Sequence, residues 1–347
     1  MTVGIVVGGI VLLPALLAGL IWAFGTRAKA RLAAKYPPPG QMVDVGGYQL
    51  HIHSQGTPVA GRPTVVMEAA HSELGLSWAS VQPEVAKFAR VCTYDRAGLG
   101  WSERSPKPRT AEKIVDELHT LLTRAGIEPP YVLVGHSIGG MYVRLYAHEH
   151  PEQVAGMVLV DATHEEQSAR FPEAIAKKQA SSTKAAAFVL GLTQAISSIG
   201  LMAPLAGMKG GVWPMPIPRE ARAAYLGIVY SGTPYFETAR RETLAMPENL
   251  ATVRARQIRS LGDIPLVVIS AGQPAISAGH GISEVDAERI KVVGDELHAQ
   301  MAALSTRGKR VFAQESGHYV QVSQPEVVVD AIREVFEAAQ RRRGFDS

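Results

Sequence analysis

Six short apolar runs, each followed by a segment of helical pattern, constrain this chain more than any other feature. They are TVVME (Thr64 to Glu68), RVCTY (Arg90 to Tyr94), YVLV (Tyr131 to Val134), VAGMVLV (Val154 to Val160), PLVVIS (Pro265 to Ser270) and KRVFA (Lys309 to Ala313). Continuous apolar runs of this length, rich in Val and Ile, read as strands buried on both faces. The helical segments between them require crossover connections, so the sheet is expected to be mostly parallel with helices on both sides. Two further runs, QMVDV and YQLHIH, joined at Gly46-Gly47, predict an antiparallel hairpin at the start. That makes eight strands.

Helices are expected through WASVQPEVAKFA, over about 110–125 with Ile114, Leu118, Leu121 and Leu122 on one face, through GGMYVRLYAHEH, near 284–306, and from Pro325 onward. The alternation stops over roughly 164–262, a stretch punctuated by Pro and Gly, which reads as an inserted helical cap. The expected organisation is therefore 1–35 as an N-terminal segment, 36–41 as a linker, 42–163 and 263–347 as the two parts of the α/β core, and 164–262 as the cap.

The N-terminal segment holds an uncharged run, Val3 to Phe24, followed by Arg27, Lys29, Arg31 and Lys35 with no acid. A run of this length can cross a bilayer as a helix, which needs roughly 20 apolar residues. No cation precedes it, so an uncleaved transmembrane anchor is expected rather than a cleaved signal. The positive-inside rule then puts the remaining chain on the cytoplasmic side, with membrane lipid as a partner. The basic clusters here and at Arg341 to Arg343 have no interleaved aromatics, which argues against nucleic-acid binding. Cys92, the single cysteine, falls within an apparent strand and reads as a buried hydrophobe.

The chemistry begins at GHSIGG, Gly135 to Gly140, set between a strand and a helix. Gly135 and Gly139 allow a turn tight enough to expose Ser137, and the helix behind it offers free N–H groups and a positive dipole to a developing oxyanion. Ser137 is the candidate nucleophile.

With GHSIGG, the upstream YDRAGLGWSE (Tyr94 to Glu103) and the downstream SGHYV (Ser316 to Val320), the chain resembles the α/β-hydrolase fold family, in particular its capped serine-hydrolase branch. The resemblance runs from about Gln41 to Arg341. It implies that His318 is the general base, with His280 as a second candidate, and that Ile138 supplies one oxyanion N–H. His51, His53, His148 and His150 read as surface or capping groups, and His136, next to Ser137 on the elbow, is expected to point its side chain elsewhere.

The family places the acid after the seventh or the sixth strand. Gln273 and Pro274 occupy the usual place after the seventh, and the first carboxylates there are Glu284 and Asp286. Asp161 ends the sixth strand, and Thr163 to Glu166 reads as a capping box that would leave Asp161 free of capping duty. Asp161 is the leading candidate, with Glu284 and Asp286 as alternatives. The second oxyanion donor is expected from the loop MEAAHSELGLSW, at His71 or Ala70; the family's usual His-Gly is missing there.

The charge-free stretch Ala185 to Met208, including Leu201 and Met202, and the nearby Trp213 are expected to form an apolar lid and line the substrate site. The resemblance therefore implies hydrolysis of carboxylic esters of small hydrophobic molecules through an acyl-enzyme, with no metal or organic cofactor. A thioesterase, lipase, amidase or C–C bond hydrolase would use the same residues. A non-catalytic binding protein would keep the fold without turnover.

Overall fold

The computed structural model describes residues 2–342 except 172, 208–215, 233 and 274–282; the side chains of residues 2–15 and of 174 also fall outside that description. The chain opens on a long helix, α1 (Thr2–Lys35), and then forms a hairpin of β1 (Gln41–Asp44) and β2 (Gln49–Gln55). Gly46 and Gly47 turn it with φ of +118° and +95°, a region L side chains avoid. Next come β3 (Thr64–Glu68), a short α2 (Gln82–Val85), β4 (Val91–Tyr94), α3 (Ala111–Arg124), β5 (Tyr131–His136), α4 (Ile138–Glu149) and β6 (Val154–Val160).

The chain then leaves the sheet for α5 (Gln167–Arg170), α6 (Glu173–Ser198), α7 (Arg222–Tyr230) and α8 (Tyr235–Ala255). It returns through β7 (Leu266–Ala271), α9 (Glu284–Ala302), β8 (Gly308–Ala313), α10 (Val320–Ser323) and α11 (Pro325–Arg342). The eight strands lie in the order β1-β2-β4-β3-β5-β6-β7-β8, parallel from β4 to β8. The order reverses at β3, since β4 lies on one side of it and β5 on the other. A crevice opens at the carboxyl ends of strands flanking such a reversal.

Every residue of β3 to β7 is buried, as two-sided coverage demands. Side chains of successive strand residues point to opposite faces, so β5 and β6 feed two cores. Leu133, Met157 and Leu159 pack with Ile114, Leu118 and Leu121 of α3 and Met141 and Leu145 of α4. Val132, Val134, Val158 and Val160 pack with Val328, Ile332, Val335 and Phe336 of α11.

Two local expectations need correction. The helix expected through WASVQPEVAKFA is only a 3₁₀ turn at Gly75–Trp78 and the four-residue α2. Pro83 has no N–H to donate back to the preceding turn and its ring crowds that turn, which disfavours a helix running through it from Trp78. The expected capping box also does not form: α5 starts at Gln167, with Glu166 as its N-cap residue and no side-chain cap bond. Glu165 pairs instead with Arg144 at 2.7 Å.

The N-terminal expectation receives no support from the described residues, among which no helix is long and apolar enough to cross a membrane. Residues 16–35, the part of α1 with described side chains, contain all four cations. Most of the Val3–Phe24 run lies outside the described side chains. The expected linker is pinned rather than free: the Trp101 indole N–H donates to the Tyr36 carbonyl at 2.9 Å, and the Tyr36 ring lies where a Cβ on Gly227 of α7 would sit.

Candidate active site

Ser137 joins β5 to α4 with φ 53° and ψ −123°, a conformation that costs a non-glycine residue free energy and persists only where its surroundings enforce it. The enforcement is visible. A Cβ on Gly135 would lie 2.6 Å from the Gly140 Cα, and one on Gly139 would lie 2.6 Å from the Ala69 carbonyl oxygen. The Ser137 carbonyl accepts from the N–H of Gly140 at 3.0 Å and of Thr163 at 2.8 Å, while its own N–H donates to the Val160 carbonyl at 3.1 Å. The turn is thus clamped between its own helix and the end of β6. The contact of Gly139 with Ala69 also sets the loop after β3 against the first turn of α4, where Ile138 begins the helix.

Asp161 leaves β6 with φ 39°, so of four positive-φ non-glycine residues described, two are Ser137 and Asp161 and a third, Ser72, lies in the loop after β3. Its backbone N–H donates to the Ile269 carbonyl at 2.8 Å, and its Oδ1 accepts from the Ala271 N–H at 3.0 Å. Its Oδ2 lies 2.6 Å from the Nδ1 of His318, which sits between β8 and α10. Burial opposes charge on Asp161, but the hydrogen bond and charge of His318, with help from the Ala271 N–H, hold its carboxyl well below the usual range. Burial likewise works against the imidazolium of His318, yet the Asp161 hydrogen bond and charge raise it above the ordinary histidine value.

Ser137, Asp161 and His318 open together on a cavity of about 260 Å³. Glu284 and Asp286 stand elsewhere, in the first turn of α9, where Asp286 bonds the capping Ser283. His280 lies outside the described residues. The geometry therefore brings Asp161, and neither alternative carboxylate, to His318.

Of the expected lid residues, the two that are described, Leu201 and Met202, do not line this cavity. Trp213 lies outside the described residues, Leu201 is exposed, and Met202 is buried in the cap's own core. The far wall is α9 instead, through Ile290, Lys291, Gly294, Asp295 and His298, with Gln167 and Gln273 adding polar edges. Those five positions form one helical stripe, spaced as neighbours on a helix face are.

His298 is a residue the sequence reading missed. Its Nδ1 is 2.9 Å from the Ser270 hydroxyl, its Nε2 3.1 Å from the Ala162 carbonyl, and Asp161 Oδ1 is 4.0 Å away. Burial lowers its pKa despite the pull of Asp161, so the neutral ring donates from Nε2 to Ala162 and accepts the Ser270 proton at Nδ1. The apolar stripe Leu297, Met301 and Ala302 around it was the available signal that this face is buried.

His136, expected only to point away from Ser137, is fully buried and makes contacts of its own. Its Nε2 donates to the His318 carbonyl at 2.8 Å, and its Nδ1 lies 2.9 Å from the Gln321 amide and 3.5 Å from the Glu73 carboxylate, which ties the loop bearing the candidate base to the elbow.

Of the expected oxyanion donors, Ile138 stands at the α4 N-terminus and His71 in the loop after β3, where the His71 ring bonds Thr243 at 2.9 Å. The Ala70 N–H points to the buried Glu73 carboxylate at 3.3 Å. Burial opposes the charge of Glu73, but His136 and the Ala70 N–H lower its pKa, so it is an anion there. That loop is held from below by Arg96, whose guanidinium donates to the Ala69 carbonyl at 2.9 Å and the Ala70 carbonyl at 2.7 Å while pairing with Glu68 at 2.6 Å and Glu242 at 2.9 Å. Among the described residues no group of three or more His, Cys, Asp or Glu side chains is placed to hold a metal ion.

A hydroxyl at a helix N-terminus and a carboxylate-oriented imidazole that open on one cavity are groups of the kind used for acyl transfer. Comparison with known proteins agrees with the fold. Residues 63–197 match the family described as alpha/beta hydrolase fold. The chain is 35% identical over 136 residues to the probable transporter efuK of Hormonema carpetanum and 36% identical over 109 residues to the uncharacterized protein YqjL of Bacillus subtilis. Those stretches are 38% and 31% of this chain and cover only 20% and 43% of the relatives. A probable hydrolytic enzyme of Pseudomonas aeruginosa superposes with a TM-score of 0.62 at 19% identity, over 86% of this chain and 95% of that one. A thermophilic esterase from Thermogutta terrifontis gives 0.58 at 20% identity, over 86% and 98%. The epoxide hydrolase CorEH gives 0.60 at 16% identity, over 86% and 98%, so the shared fold leaves the reaction open.

Proposed function

We propose that this chain, which belongs to the α/β-hydrolase fold family, hydrolyses carboxylic esters of small molecules through an acyl-enzyme. Ser137 Oγ attacks the carbonyl carbon, His318 takes the hydroxyl proton and returns it to the leaving alcohol, and Asp161 holds the His318 ring. The N–H groups of Ile138 and His71 donate to the developing oxyanion. Water then repeats the sequence on the acyl-enzyme, releasing the acid. The observation that carries this reading is the 2.6 Å contact between His318 and Asp161 beside a serine held at positive φ.

A serine at the elbow favours acyl transfer over the epoxide and haloalkane chemistry that the fold also hosts. One feature favours a second reading, an amidase or C–C bond hydrolase on the same residues. The cavity wall is more polar than a hydrophobic ester requires, with Gln167, Gln273, Lys291 and Asp295 beside Ile290. The N-terminal apolar run supports attachment to a membrane, with the catalytic residues on the cytoplasmic side; a topology reporter fused after Ser347 tests the side.

The deciding experiment is labelling with a fluorophosphonate probe, comparing the chain with Ser137→Ala. Ser137-dependent labelling, followed by turnover on a panel of esters, thioesters and amides, would separate the two enzymatic readings. Folded protein that takes no label would leave only a binding role.

A further inference from the structure

We propose that the outer faces of α1 and α6 form one lipid-contacting surface, which seats the cap in the interfacial layer of an anionic bilayer. This rests on the membrane attachment argued above and extends it from the N-terminal run to the cap itself.

Among the described residues, fifteen large hydrophobic side chains are exposed, and ten of them fall on two segments: Leu16, Leu17, Leu20, Trp22 and Phe24 of α1, and Phe188, Val189, Leu192, Ile199 and Leu201 at the end of α6 and just beyond. The other five are spread over the sequence from Val59 to Phe312, as single exposed hydrophobics normally are. Phe188 is the most exposed of all, at 74%.

The two segments meet. A Cβ on Gly25 would overlap the Ile199 carbonyl, and one on Gly200 would overlap the Gly25 backbone, so α1 and the turn just past α6 touch main chain to main chain. Lys29 fixes the junction by donating to the Ser198 carbonyl at 2.9 Å. The apolar residues of α1 therefore lie on one side of the junction with those of α6 at hand.

The occupant follows from charge and sequence. Ala185 to Met208 contains no charged residue, although its outward side chains would otherwise face water. Just past the junction, α1 carries Arg27, Arg31 and Lys35, where anionic headgroups would meet them. In the other direction the apolar sequence continues to Val3. Apolar residues bounded on one side by cations, with a Trp near the boundary, match an interfacial lipid contact. The cap is inserted directly after β6, whose carboxyl end carries Asp161 of the candidate site, so seating it in lipid offers that site to membrane-partitioned substrates.

The test uses the full chain with an environment-sensitive fluorophore on Leu192→Cys, and separately on Val59→Cys, reconstituted with vesicles of phosphatidylcholine and phosphatidylglycerol. Cys92 is fully buried, so labelling is directed to the introduced thiol. The expected result is blue-shifted emission at 192 that doxyl-labelled lipid quenches and aqueous iodide does not, with the reverse at 59. Protein that does not float with the vesicles would overturn both the attachment and this surface. Protein that floats while the 192 probe stays as iodide-accessible as that at 59 would overturn the surface and spare the attachment. A 192 probe shielded without lipid, together with a doubled mass in light scattering, would assign the face to a second copy instead.

Discussion

His318 Nδ1 lies 2.6 Å from Asp161 Oδ2, although 157 residues separate them. Neighbouring parallel strands create the proximity: β6 delivers Asp161 at its carboxyl end, and the chain delivers His318 just past β8, with β7 between the two strands. The other carboxylate oxygen is already held by the Ala271 N–H, so one oxygen is left to orient the ring.

The pH dependence should carry the mark of that contact. Asp161 raises the pKa of His318, and only the neutral ring can accept the Ser137 proton. kcat/KM should therefore climb with pH and level off above an inflection higher than the ordinary histidine value of about 6.5. Asp161→Asn should move the inflection down and cut turnover by roughly 10⁴. An inflection at or below 6.5 in the unmodified protein would contradict the role given to Asp161.

Replacing His298 tests a residue that touches no reacting group. His298→Leu strands the Ser270 hydroxyl and the Ala162 carbonyl, and each unpaired buried polar group costs about 1–3 kcal/mol. The urea midpoint should fall accordingly. Ser270→Ala should cost less, and the double variant should show strong coupling between the two positions. Additive losses would mean the pair acts independently.

Arg96 pairs with both Glu68 and Glu242, which are buried. Arg96→Met should destabilise by about 3–5 kcal/mol, because two carboxylates are left in the interior without a countercharge. Arg96→Lys should recover little, since an ammonium cannot span both carboxylates and the two loop carbonyls as the planar fork does. Thermal unfolding of the three proteins checks both statements; a Lys variant as stable as the parent would count against the fork.

Two glycines should respond in opposite directions. Gly139→Ala would press a methyl group to 2.6 Å from the Ala69 carbonyl and 2.7 Å from that of Glu68, so the elbow must open and fluorophosphonate labelling should collapse. Gly191 sits within α6 with nothing nearer than 3.5 Å to an added Cβ, and Gly191→Ala should stabilise by roughly 0.5–1 kcal/mol. Melting temperature and label incorporation, measured on both, would expose an error in either direction.

Much of this architecture can be read locally. VAGMVLV is a strand over the residues its pattern marks, the Ile114 to Leu122 stripe is the buried face of α3, and Gly135 and Gly139 flank a strained Ser137 because backbone closeness there admits no Cβ. Local reading fails where a rule depends on a neighbour. Thr163 to Glu166 has the letters of a capping box, yet its residues serve Arg144 and the Ser137 carbonyl, so the argument that freed Asp161 from capping rested on a helix start that does not exist. Leu201 and Met202 belong to an apolar stretch, but apolarity does not say which way a cap helix faces.

The sequence by itself determined the strands, most helices and the elbow, because hydrophobic period and steric allowance are properties of a few consecutive residues. Only the tertiary structure decided that Asp161 meets His318, that α9 walls the cavity with His298 beneath Asp161, and that Gly25 meets Gly200. Those pairings join residues far apart in the chain, and strand order and cap packing alone fix which distant side chains share a few ångströms of space.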